Sequence, residues 1–376
     1  LNNDAATAWQ QMTDTLEGKI ADNDIHSSRR GYGILLALLT IGGTPTIDGQ
    51  LCMNMLAILI AVVLTAAASA RMLSTRSPEA STATTAIILT GSIAYFLNTG
   101  TLLIKDAVCC LLMAATLFSL YGVKKNSSTV MILLPVIALG GLVRPWLPVF
   151  IAFAIAFSFI KAERKTIVPR VLLIVAALSV SLVMHHLEVM SAPVKLANDS
   201  TNFDLEITDN GRLDAYTAVA GDYMYSSTLG RIVRLPFSLA VQFLTPLPWA
   251  FDRHIVFGPS SVWSHFSLPW YALGGILFFY LLFRLRRSPH NIAGAFMFAL
   301  FAYIATAFVT GGTVSRYCLP WMPFFIPAAT WIIASGQWRD RSFRRWCTGY
   351  GIMLVLALVS VYVVLNHYSP DGWEVL

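Results

Sequence analysis

The chain has 376 residues, 56% of them hydrophobic and 12% charged, with a formal net charge of +6. A soluble domain carries about 25% charged residues, so this composition excludes an ordinary soluble globular protein. Apolar runs of spanning length recur throughout, and lipid excludes open sheets with unsatisfied backbone groups, which leaves an all-α, polytopic helical integral membrane protein.

The N-terminal segment, 1–47, reads as an outer first loop. Asp4 stands in NNDAATAW, followed by Trp9, Met12, Leu16 and Ile20 at helical spacing and then by the pair Arg29–Arg30. The apolar stretch 31–43 is too short to cross a bilayer, so it is expected to be an interfacial or re-entrant helix on the outer face. Placing residues 1–30 outside requires a signal-anchor helix or a cleaved signal upstream, so a further N-terminal helix is expected.

About ten transmembrane helices follow, near 50–70, 82–98, 104–121, 129–143, 146–160, 168–187, 264–283, 291–311, 317–335 and 347–366. They group as an N-terminal bundle (48–187), an outer polar loop with an interfacial or re-entrant segment (188–263), and a C-terminal bundle (264–376). The loops at 71–81, 122–128, 161–170, 284–290 and 336–346 hold 15 of the 26 Lys and Arg residues. By the positive-inside rule they share the cytoplasmic side, and the basic balance is topological rather than a sign of nucleic-acid binding. Residues 188–230 are acidic and end in Tyr216, Tyr223 and Tyr225; an acceptor-side lid and an inert solvated loop are both open. The stretch 232–251 carries Arg234, Pro236, Pro246 and Pro248, and reading it as a full span would break the charge alternation.

Basic residues interrupt three apolar stretches on the outer side: Lys105 beside Asp106 in NTGTLLIKDAV, Arg144 in GGLVRPWLP, and Arg316 in GGTVSRYCLPW. Charge at that depth is costly and marks a cavity or ligand path. Residues 129–160 fit a hairpin turning at Arg144, each arm about 15 residues or roughly 22 Å, shorter than the hydrocarbon core of about 30 Å. Snorkelling of Arg144 and Arg316 to headgroups, and mutual neutralisation of Lys105 and Asp106, are the plainer readings. Pro145–Trp146, Pro248–Trp249, Pro269–Trp270 and Pro320–Trp321 map to the outer interface. An aromatic belt with helix-start prolines accounts for them, with sugar or lipid contacts at Trp146, Trp249 and Trp321 as the alternative.

No Walker loop, HExxH, GxSxG or Rossmann fingerprint occurs. The five cysteines have no CxxC spacing and read as buried thiols. His185, His186 and Glu188 sit together, but adjacent helical histidines face different ways, so an interfacial pair outranks a metal site. A carboxylate outside the membrane can take a proton from a hydroxyl, and guanidinium groups pair well with phosphate oxygens.

The order of these pieces resembles the GT-C fold glycosyltransferases, in particular family 39-like proteins that use polyprenyl-phosphate-linked sugars. In that class the first outer loop carries an essential Asp near its start, and NNDAATAWQQMTD…SSRRGYGILLALL is similar to it, which implies a catalytic role for Asp4. A second acidic position lies in a later outer loop, implying Asp106, and SRYCLPWMPF resembles a frequent Arg-Tyr…Leu-Pro turn, implying Arg316 and Tyr317. The usual acidic pair is Lys105–Asp106 here, which weakens the case for a divalent metal (Mg or Mn) and leaves metal dependence open.

The resemblance implies sugar transfer from a polyprenyl phosphate or diphosphate to a glycan, lipid or protein acceptor. Asp4 acts as base, and Lys105, Arg144 and Arg316 stabilise the leaving phosphate, with Arg29, Arg30, Arg231 or Arg234 as further candidates. The expected setting is a bacterial inner (plasma) membrane with the site facing the periplasm or cell exterior, in cell-envelope polysaccharide biosynthesis. Two rivals remain. An O-antigen-type polymerase or ligase would put arginines in large outer loops, and a lipid-linked substrate transporter or flippase would favour internal repeats.

Overall fold

The computed structural model describes residues 9, 12–13, 16, 32, 35–37, 40, 46–74, 79–91, 105–123, 126–159, 167–191, 228–244, 281–310 and 315–368. Among them the chain is all-helical, without strands. The helices are α1 (Ile47–Leu73), α2 (Glu79–Gly91), α3 (Asp106–Tyr121), α4 (Asn126–Val143), α5 (Leu147–Phe157), α6 (Ile167–Ser191), α7 (Thr228–Leu244), α8 (His290–Thr310), α9 (Ile326–Ala334) and α10 (Arg341–Tyr368). Two compact units are formed. The first comprises Leu1–Pro193, Arg284–Leu300 and Leu319–Gln337; the second comprises Val194–Phe283, Phe301–Cys318 and Trp338–Leu376.

Among the described residues three segments are long and apolar enough to cross a membrane: Ile47–Leu73, Ile167–Met184 and His290–Val309. On α1 and α6 large apolar side chains face outward, the inverse of a soluble protein's surface. On α1, Gln50, Asn54, Ala57, Ala61, Thr65 and Ser69 are buried, whereas Met55, Leu56, Leu59 and Val63 are exposed. Small residues let helices approach closely, while large apolar side chains are left for lipid. Two buried hydroxyls of α1 bond backwards within the helix, Thr65 to the Ala61 carbonyl (2.7 Å) and Ser69 to the Thr65 carbonyl (2.8 Å), so neither is left unbonded in an apolar setting. On α6 the exposed residues Val171, Leu172, Val175, Leu178 and Leu182 do the same outward-facing work.

In the first unit α1 packs on α2 and α3, α3 on α4, and α6 on α4 and α5, with α9 against α1 and α2. The 129–160 region is a hairpin turning at 144–146, as its Arg-Pro pair implies, but its arms are unequal: α4 has 18 residues and α5 has 11. At 1.5 Å per residue the arms are about 27 Å and about 16 Å long. The expected single span at 317–335 is not one helix. Ser315–Phe324 winds as a 3-10 helix before α9. Pro320 and Pro323 each lack an N–H and crowd the carbonyl four residues back, which disfavours the α-helix over this stretch, whereas Pro327 falls in the first turn of α9, where proline is tolerated.

In the second unit, α7 buries Arg234, Ser238 and Gln242 and exposes Leu229, Ile232 and Val233. Arg234 and Gln242 donate to the Phe308 carbonyl (3.5 Å) and the Tyr303 carbonyl (3.0 Å) of α8. A helix with its polar stripe inward and its apolar stripe outward suits contact with lipid on the outer side. Apart from residues 281–283, the expected span at 264–283 lies outside the described residues, as do 245–263 and the acidic stretch 192–227.

Candidate functional site

Asp106 opens α3 and is 2% exposed; Arg144 directly follows α4 and is 6% exposed. Because α3 and α4 are consecutive packed helices, the start of one lies beside the end of the other. Each charge therefore sits where a helix dipole favours it, the carboxylate at an N-terminus and the guanidinium at a C-terminus. The Arg144 backbone still closes the last turn of α4, donating to the Gly140 carbonyl at 2.8 Å. Its Nη2 donates to Asp106 Oδ1 in a buried ion pair.

The turn carrying Arg144 is held from several directions. The Ser181 hydroxyl of α6 donates to the Pro145 carbonyl at 2.6 Å, and the Leu147 amide donates to the Arg144 carbonyl at 2.9 Å. The guanidinium lies 5.0 Å from the Trp146 ring centroid. Trp146 in turn packs on Phe150 (5.5 Å) and Trp321 (5.9 Å), and Trp321 stacks on Phe150 at 4.3 Å. The cation thus has a carboxylate on one side and an aromatic wall on the other, an arrangement that fixes its direction.

The described residues between 9 and 37 pack against the first turns of α1 and α3. Met12, Tyr32, Leu36 and Ala37 form a buried cluster against Trp9, Leu51 of α1 and Val108 of α3. The Tyr32 hydroxyl donates to Asn54 Oδ1 at 3.1 Å. Burial pushes the Tyr32 phenol far above its usual range, and the negative charge of Asp106 adds to the shift, so Tyr32 remains a donor at physiological pH. One turn before Asn54, Gln50 is 1% exposed, and its Oε1 accepts no hydrogen bond among the described residues.

These placements sort the sequence-derived candidates. Asp106 and Arg144 meet, which the chain separation of 38 residues did not announce. Asp106 makes a buried ion pair with Arg144, and Lys105 precedes α3 at its N-cap. Trp146 keeps 37% exposure, but Trp321 is 1% exposed and is a packing residue rather than an outward-facing ring. Arg316 and Tyr317 fall on the backbone of the 3-10 helix Ser315–Phe324, with side chains outside the described set. Asp4, Arg29, Arg30 and Trp249 also lie outside it. Arg231 and Arg234 belong to the second unit.

Tyr32, Asn54, Gln50 and Ser181 were not anticipated. For Gln50 and Asn54 a signal was present: two amides at i, i+4 in a span otherwise apolar or small. Among the described residues no group of three or more His, Cys, Asp or Glu is clustered to hold a metal ion.

Fold and site together define a helical protein that has, among the described residues, three helices long and apolar enough to span a membrane, with a buried ion pair at the turn of a helical hairpin. No family model, no curated protein and no solved structure matches the chain.

Proposed function

We propose that this protein is a membrane glycosyltransferase that moves a sugar from a polyprenyl-phosphate-linked donor to an acceptor hydroxyl on the outer face of a membrane. The observation that carries this reading is the buried Asp106–Arg144 pair, set at the turn of a short hairpin under the first-loop cluster. An intramembrane guanidinium is costly unless it serves a ligand or a partner, and a phosphate group at the end of an isoprenoid tail reaches this depth from the lipid.

The Asp106 carboxylate is engaged by Arg144, so its role is to position that cation rather than to act as base. A guanidinium has five N–H donors, and the bond to Asp106 uses Nη2. In the transfer step the acceptor oxygen attacks the anomeric carbon and the bond from that carbon to the phosphate oxygen breaks. The polyprenyl phosphate leaves with the bonding electron pair, and the acceptor proton passes to Asp4. Arg144 stabilises the charge that grows on the leaving phosphate. Gln50 Oε1 is suited to accept a sugar hydroxyl. Lys105 and Arg316 remain candidates for the same phosphate.

The test is ligand-induced stabilisation of the purified chain. Polyprenyl phosphate should raise the melting temperature and polyprenol should not, because binding to the folded state alone stabilises it. Arg144→Lys should weaken the shift. Proteoliposomes given a tritiated polyprenyl-phosphate sugar should release polyprenyl phosphate. Equal shifts with polyprenol and its phosphate would exclude a phosphate site.

A further inference from the structure

A second feature lies in the other unit and is independent of the transferase reading. Arg341, Arg344, Arg345 and Thr348 line a shallow cavity of about 480 Å³, wide open to the surroundings, on the first two turns of α10. All four side chains are exposed. Their spacing, i, i+3, i+4 and i+7, puts them on one helical face. Three like charges so close together repel one another, and they stand at the positive end of their own helix dipole, where cations are disfavoured. Positive-inside topology asks for arginines in this loop but not for their gathering on one face around a cavity.

We propose that this cavity binds the phosphodiester headgroup of an anionic phospholipid from the leaflet in which α10 begins. Guanidinium pairs bidentately with phosphate oxygens, and the Thr348 hydroxyl offers a further donor. The continuation of the face decides for a lipid over free phosphate. Arg341, Arg345, Thr348, Ile352, Val355 and Val359 follow one another at alternating spacings of four and three, a single stripe. Its first three members are polar; Ile352, Val355 and Val359 are apolar and 52–58% exposed. From Thr348 to Val359 the stripe runs about 16 Å, close to half the hydrocarbon thickness of about 30 Å. A phosphate at one end and an apolar track one leaflet long match a single phospholipid.

The aromatic residues fix the depth. Trp338 and Trp346 are 46% and 41% exposed. Trp346 stacks on Phe283 at 4.9 Å, and the Arg339 guanidinium lies 4.9 Å from the Trp338 ring centroid. Exposed tryptophans favour the headgroup level, which sets the arginine cavity at the height of lipid phosphates.

The experiment is native mass spectrometry of the full chain after delipidation and titration with phosphatidylglycerol or phosphatidylcholine. Wild type should retain phosphatidylglycerol preferentially. The R341Q/R344Q/R345Q triple variant should lose about tenfold of that preference. The R284Q/R286Q/R287Q variant, with the same charge change in another basic loop, should keep it. Millimolar inorganic phosphate should not displace the lipid. Equal loss in both triple variants, or displacement by phosphate alone, would overturn the proposal. Should the first triple variant fail to insert, photoactivatable phosphatidylglycerol on wild type decides: crosslinks concentrated in 341–359 support the site, and crosslinks spread over all the basic loops refute it.

Discussion

Asp106 and Arg144 are buried charges whose mutual neutralisation is a stability problem before it is a catalytic one. Removing one partner of a buried pair strands the other, at about 3–5 kcal/mol, whereas replacing both by apolar groups of similar size is often neutral. Asp106→Leu and Arg144→Met alone should therefore lower the melting temperature sharply. The double variant should recover most of the loss while remaining inactive in phosphate binding. A double variant as unstable as the singles would mean that the pair organises the turn through the Trp146 and Pro145 contacts instead. The sequence displays both charges, yet their partnership is hidden. Lys105 stands next to Asp106 along the chain and competes as the obvious counter-ion. Only the antiparallel docking of α3 and α4 makes Arg144 the residue that arrives.

At the scale of elements, adjacent glycines on α4 have opposite duties. A Cβ on Gly141 would lie 2.5 Å from Val180 Cγ1 and 3.2 Å from Met184 Cγ of α6, so the helices touch there through backbone. A Cβ on Gly140 would meet nothing nearer than 3.4 Å, from Ile151 Cδ1. Val180 is β-branched and stiff at χ1, so it cannot swing away cheaply. Gly141→Ala should destabilise by about 1–3 kcal/mol through overpacking. Gly140→Ala should be neutral or stabilise by up to about 1 kcal/mol through helix propensity. Thermal unfolding of the two variants side by side checks the contact, and equal effects would contradict it. The hairpin itself was readable, since Arg-Pro in the middle of an apolar run leaves little else. The 3-10 stretch before α9 was equally written in Pro320 and Pro323, but apolar length masked it. Hydropathy counts residues and is blind to missing backbone donors. Long helices such as α1 and α6 were legible because composition alone carries that signal. Packing choices such as the buried Trp321 were not, because an aromatic near a proline reads the same at an interface and in a core.

For the whole molecule, the arrangement of charge along the chain makes a topological claim that geometry alone can partly support. α1 begins at Ile47, with the Thr46 hydroxyl accepting from the Gly49 amide, and ends at Leu73, with Arg71 in its last turn and Ser74 as its C-cap. Its 27 residues span about 40 Å, enough to put those ends on opposite faces of a bilayer. With α2 returning and α3 crossing again, the joint at 122–125 and Ser127 just after it should lie on the face that holds Ser74. The basic loops at 71–81 and 122–128 would then share one side, as the positive-inside rule requires. The measurement is labelling by a membrane-impermeant maleimide in oriented vesicles, in a background with Cys52→Ser and Cys347→Ser. Ser74→Cys and Ser127→Cys should react from the same side, and Ile47→Cys from the other. All three positions are exposed in the structure, so differences in reactivity report sidedness rather than burial. Reaction of Ser74→Cys and Ser127→Cys from opposite sides would invert α3 and α4. The Asp106–Arg144 pair would then face the basic side, where a donor phosphate on the outer leaflet could not reach it, and the transferase reading would fall with the topology.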